Sequence, residues 1–79
     1  METSSLQAFV AVADSGSFSI AARELALTQP AISKRIAGLE EYLQSRLFDR
    51  IGRTINLTEA GRLLLPRAKK ILREVQDTE

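Results

Sequence analysis

A mainly α-helical fold carrying one small β-hairpin is what the sequence predicts, and three observations predict it. Apolar residues recur at steps of three and four through most of the chain, the period of a helix with one buried side. Serine or threonine precedes each of these stretches, placed to accept an orphan amide of a first turn. Between the last two stretches, the run from Leu47 to Leu57 alternates at period two through Ile55 and Leu57 and is centred on Gly52. Such a run is too short for helices and reads as a hairpin.

In chain order, Thr3, Ser4 and Ser5 offer caps, and Ser4 with Gln7 has the spacing of a capping box. Leu6, Phe9, Val10 and Ala13 then place a first helix from about Ser5 to Asp14, which Gly16 ends in a left-handed conformation. Ser17 caps a short second helix through Leu25, whose Ala21 and Ala22 are small enough to let another helix cross closely. Ala26, Leu27 and Thr28 connect it to a third helix, with Leu27 as an apolar plug in the turn.

The third helix, 28–43, organises the rest. Thr28 is its cap and Pro30 lies in its first turn, where a missing N–H costs nothing. Ile32, Ile36, Leu39 and Leu43 stack along one side, which is buried. The opposite side presents Pro30, Ser33, Lys34, Ala37 and Gly38, with Gln29 in the first turn. Glu40 and Glu41 come only afterwards, so the basic end coincides with the positive pole of the helix dipole. A helix so arranged enters an anionic groove N-terminus first. Taken alone, this reads as a solvated helix face, and it is the chain around the helix that argues otherwise. A short helix with small central residues, a tight turn with one apolar residue, and a helix with a basic N-terminal face together describe a helix-turn-helix. A plain helical hairpin explains the apolar spacing as well, but not the placement of Gln29, Pro30, Ser33 and Lys34.

The hairpin, 47–57, is then a wing, with Arg50 and Arg53 bracketing Gly52 at its tip. Arginines there suit the minor groove, whose negative potential attracts them. An exposed turn with two arginines is the plainer alternative. Thr58 caps a last helix with Glu59 in its first turn. Leu64, Ala68, Ile71 and Val75 repeat at four, three and four, and Leu63, Leu65 and Leu72 widen the apolar surface. Its N-terminal half is expected to lie on helix one, and the surplus to meet an antiparallel copy of itself about a two-fold axis. Pro66 predicts a kink. We therefore divide the chain into a winged helix-turn-helix, 1–58, and a linker and dimerisation helix, 59–79.

Composition narrows the function. The 79 residues make one domain with no room for a second site. The absence of cysteine and histidine removes disulfides, thiolate metal sites and the commonest general base. The best-placed carboxylate pair, Glu40 and Glu41, would point about 100° apart on a helix. No enzyme, metal or cofactor is expected. No apolar run spans a bilayer and the N-terminus lacks the character of a secretion signal, so the expected compartment is the cytoplasm. All eleven Lys and Arg lie between Arg23 and Arg73, a segment whose acids are only Glu24, Glu40, Glu41, Asp49 and Glu59. The middle of the chain has the charge of a phosphate-binding surface. A helical module docking an acidic protein through the same face is the alternative.

Four stretches carry a resemblance: Ser17-Phe18 before Ala21-Ala22, then Gln29-Pro30-Ala31-Ile32-Ser33, then Leu47-Phe48-Asp49-Arg50, then Leu57-Thr58-Glu59-Ala60-Gly61. With them the chain resembles, over essentially its whole length, the N-terminal DNA-binding domain of LysR-type bacterial transcriptional regulators. That resemblance implies a winged helix-turn-helix with its recognition helix in the major groove and its wing in the minor groove. It implies Gln29, Pro30, Ser33 and Lys34 at bases or adjacent backbone, Thr28 and Arg35 at phosphates, and Arg50 and Arg53 serving the wing. It implies a homodimer paired through Leu64, Ala68, Ile71 and Val75 on an interrupted dyad of double-stranded DNA. It further implies a longer regulator, tetrameric, with a small-molecule effector bound on a C-terminal domain of periplasmic-binding-protein type. The family more often has arginine where this chain has Lys34. Lysine lacks the planar fork that grips a guanine edge, which leaves base and phosphate roles both open there.

Overall fold

The computed structural model describes residues 1–78. Helices α1 (Thr3–Ser15), α2 (Phe18–Glu24) and α3 (Gln29–Leu43) precede strands β1 (Phe48–Ile51) and β2 (Thr54–Leu57), and helix α4 (Glu59–Thr78) closes the order. This is a winged helix-turn-helix followed by a long helix, as expected. The first three helices pack mutually, and α4 lies along α1. Leu6, Phe9 and Val12 of α1 meet Ala21 and Ala22 of α2, Ile32, Ile36 and Leu39 of α3, then Leu47, Phe48 and Ala68, in one core. Ala21 is completely buried, so nothing larger fits where α2 is crossed.

Local chemistry sets the helix ends. The Ser17 hydroxyl accepts from the Ile20 amide at 3.1 Å, and Thr28 Oγ1 accepts from Ala31 at 3.2 Å. Gly16 ends α1 at φ 72°, its amide donating to Val12 O at 2.8 Å. The Ser4–Gln7 capping box does not form. Helix α1 starts earlier, capped by Glu2 without a side-chain bond, and the Ser4 hydroxyl donates to Glu2 Oε2 at 3.3 Å. The added turn over Thr3 and Ser4 is closed by the backbone, the Ser5 and Leu6 amides donating to Glu2 O at 3.1 and 3.2 Å. Ala26, between α2 and α3, adopts φ 56°, a left-handed conformation that costs an alanine energy. There it ends α2 as a left-handed helix stop, with the Leu27 amide donating to Ala22 O at 2.8 Å and Leu25 and Leu27 packed against the core.

The strands pair antiparallel with Phe48 opposite Leu57 and Arg50 opposite Ile55, turning through Gly52 and Arg53, with Gly52 at φ 64°. Phe48 anchors the hairpin: its ring centroid lies 5.4 Å from that of Phe9 and 6.0 Å from that of Phe18. Helix α4 continues through Pro66, its first turn capped by Thr58 Oγ1, which accepts from the Gly61 amide at 3.0 Å. Lys69 pairs with Asp14 at 3.0 Å, tying α4 to α1. No helix among the described residues is long and apolar enough to cross a membrane.

Candidate nucleic-acid interface

Helix α3 buries Ile32, Ile36 and Leu39 and turns the opposite side outward. Thr28, Gln29, Pro30, Ser33, Lys34, Ala37 and Gly38 are all exposed, and Arg35 is half-buried. Gln29, Pro30, Ser33 and Lys34, the residues that the family resemblance implies at bases or adjacent backbone, thus share one exposed side of the N-terminal turns of α3. Lys34 and Arg35 also line a shallow groove against the start of α1, with Met1, Glu2, Ser5 and Tyr42. Among the described residues, the ion pairs are Arg46–Glu40 at 3.6 Å and Lys69–Asp14. Lys34, Arg35, Arg50 and Arg53 thus have no carboxylate partner there, and their charge is available to phosphates.

The wing is held against α3 by its base. Glu40 Oε2 accepts from the Leu47 amide at 2.7 Å, and Leu47 O in turn accepts from the Thr58 amide at 3.0 Å. The Thr58 hydroxyl donates to Arg46 O at 2.5 Å. Gly61 completes the joint: a β-carbon there would collide with the Leu47 carbonyl oxygen and the Leu57 side chain. The dipeptide Arg46-Leu47 is thereby pinned between the end of α3 and the start of α4.

The two wing arginines differ. Arg53 occupies the turn, whereas Arg50 lies on β1 with its guanidinium 5.4 Å from the Phe18 ring centroid. The expectation of both at the tip is corrected in this respect: strand pairing puts Arg50 opposite Ile55, one pair short of the turn. Arg50 borders a cleft between α3 and the wing with Ser33, Ala37, Glu40 and Arg46.

The apolar stripe of α4 is also redistributed. Ala68 is completely buried in the core of its own protomer, and Leu64 and Ile71 pack against that core. Ala68 therefore leaves no surface for a second copy to meet. Val75 is 41% exposed, and Leu63, outside the stripe, is 66% exposed. Leu63, Leu64 and Ala60 flank a shallow apolar groove with Leu43 and Leu47. Heptad spacing alone does not separate the face α4 gives to α1 from the face it leaves outside.

Helices two and three, the hairpin and the basic exposed end of α3 define a DNA-binding domain of the winged helix-turn-helix class. A model of the family described as "Bacterial regulatory helix-turn-helix protein, lysR family" matches residues 3–62. The chain belongs to that family of transcriptional regulators, which are not enzymes. It is 64% identical over 78 residues to an HTH-type transcriptional regulator from the ibpB-leuC intergenic region of Azotobacter vinelandii, covering 99% of this chain and 54% of that protein. It is 49% identical over 74 residues to the HTH-type transcriptional regulator CfxR of Cupriavidus necator, covering 94% of this chain and 23% of CfxR. The chain thus spans about half or less of the length of these relatives. Among solved structures, the CbnR DNA-binding domain in complex with DNA superposes with TM-score 0.92 at 37% identity, over 99% of this chain and 90% of that one. The BenM DNA-binding domain bound to catB site 1 DNA gives TM-score 0.93, also at 37% identity, over 99% and 88%.

Proposed function

We propose that this domain binds an interrupted dyad in double-stranded DNA as a homodimer, with α3 in the major groove and the wing in the minor groove. The observation that carries the reading is the exposed row Gln29, Pro30, Ser33 and Lys34 on the capped N-terminal turns of α3. In this reading those four side chains meet base edges or adjacent backbone, while Thr28 and Arg35 meet phosphates. Arg53 reaches into the minor groove from the turn, and Arg50 approaches the backbone at the groove edge.

The likeness to CbnR and BenM domains described as complexes with DNA supports this reading. Pairing of two copies uses α4, through Leu63 and the uncovered parts of Leu64, Ile71 and Val75. A two-fold axis there relates two recognition helices, and half-sites then fall about one helical turn apart or a multiple of it.

Affinity arises mainly from phosphates. If one protomer neutralises about five, log K falls with log salt at a slope near −4 to −5, and the dimer falls more steeply. The test is a selection from random-sequence duplexes at near-physiological salt. Enrichment of a spaced dyad supports the reading. Enrichment of single half-sites leaves DNA recognition and removes the dimer, while no retained DNA at low salt points to a protein partner for the basic face.

A further inference from the structure

Gln29 opens α3 on its exposed side, and its carboxamide does not project freely. The Ser19 hydroxyl of α2 donates to Gln29 Oε1 at 3.0 Å, joining the two helices of the helix-turn-helix across ten residues of sequence. Ser19 is itself well placed for this. The Ser17 cap fixes the first turn of α2 at the Ile20 amide, and Ala21 and Ala22 lock the helix into the core.

A carboxamide carries one acceptor oxygen and one amino group with two donors, on opposite arms of a plane. Drawing the oxygen toward α2 turns the amino group away from α2. Bidentate recognition of adenine needs both arms in the plane of the base, the oxygen accepting from N6 and the amino group donating to N7. With one lone pair of Oε1 engaged by Ser19 on the α2 side, the amino group is the arm that Gln29 turns away from α2. Its complements are acceptors: guanine O6 and N7, which lie side by side, and thymine O4; adenine N7 also accepts, but the neighbouring N6 is a donor and opposes an amino group. Both residues are exposed, so water competes for this bond in the free protein. A docked duplex excludes that water and strengthens the bond where it matters.

We infer that Ser19 is a specificity-determining residue, which orients the Gln29 carboxamide so that the domain selects a guanine or thymine edge over adenine at one position of each half-site. The inference rests on the proposed reading of α3 as the major-groove helix. Ser19 acts through Gln29 and is not required to touch a base.

The test repeats the random-duplex selection with the wild-type domain and the variants Ser19→Ala, Ser19→Thr and Gln29→Ala, each checked by thermal melting. The wild type is expected to enrich guanine or thymine at one half-site position, and Gln29→Ala to erase the preference there alone. Ser19→Ala is expected to shift that position toward adenine by about two- to tenfold, the effect of one hydrogen bond, with other positions unchanged. Ser19→Thr, which keeps the hydroxyl, retains the wild-type profile. An unchanged profile for Ser19→Ala, a uniform loss at all positions, or a wild-type preference for adenine overturns the inference while leaving the DNA-binding reading intact. If the wild type enriches no sequence, or Gln29→Ala alters no position, the reading of α3 fails and the inference falls with it.

Discussion

The Arg50 guanidinium sits over the Phe18 ring, 5.4 Å from its centroid, and joins the wing to the second helix. Phe18 in turn packs edge-on against Phe48 at the foot of β1. An aromatic pair and a cation thus brace one side of the wing. Arg50→Ala removes a cation–π contact worth about 0.5–1 kcal/mol at an exposed site. A melting point lower by about 2–8 °C is expected, given the entropy of unfolding of a domain this size. An unchanged melting point would show that the ring and the guanidinium do not interact in solution.

Glu40→Ala leaves the Leu47 amide without its carboxylate acceptor. The exposed Arg46 partner contributes little, so the loss comes from the amide, about 1–3 kcal/mol. Glu40→Gln keeps an oxygen for that amide and is expected to retain most of the stability. Urea denaturation of the two variants checks this; equal midpoints would place the ion pair, not the amide bond, in control.

Gly61→Ala forces a β-carbon into the Leu47 carbonyl, a backbone atom with no side chain to swing aside. We expect a loss of at least about 2 kcal/mol, in the range of overpacking. Ala26→Gly runs the other way. It relieves a left-handed alanine at φ 56°, and after the extra chain entropy of glycine a net gain of up to about 1 kcal/mol remains. Thermal melting checks both, and an Ala26→Gly variant that melts lower than wild type would contradict the strain.

Lys34→Ala is expected to weaken DNA binding. A loss of about 1–3 kcal/mol confined to one operator position marks a base contact, and a uniform loss with a salt slope shallower by about one marks a phosphate contact. Fluorescence anisotropy across several salt concentrations separates the two. Unchanged binding would mean that a different side of α3 faces the duplex.

Arg53→Ala is expected to reduce affinity mainly on sites with an A·T-rich flank, where the minor groove is narrow. Measured affinities that fall equally on G·C-rich flanks would remove the minor-groove assignment.

Much of this architecture was legible in residue spacing and end chemistry. Ser17, Thr28, Thr58 and Gly16 mark helix ends through bonds within four residues, so local sequence suffices to find them. The exposed row on α3 followed from helical period alone. What escaped was tertiary. Ala68 has the right spacing for a partner helix, yet it is buried in the core of its own protomer, and spacing does not say which neighbour a face meets. Glu40 looked like a surface acid closing a basic helix. Its role appears only once Leu47, seven residues on, is brought back to it. Ser19 carried no signal beyond its place in a short helix, because its partner Gln29 lies across a turn. Ala26 was silent because nothing in an alanine announces a positive φ.

The pinned dipeptide Arg46-Leu47 makes three elements share one joint. The carboxylate of α3 holds one side of its backbone, and Thr58 and Gly61 at the root of α4 hold the other. A helix locked in this way cannot roll about its axis without dragging the hairpin along. In the proposed reading, the spacing between the helix in one groove and the hairpin tip in the next is therefore set by atoms that lie away from both.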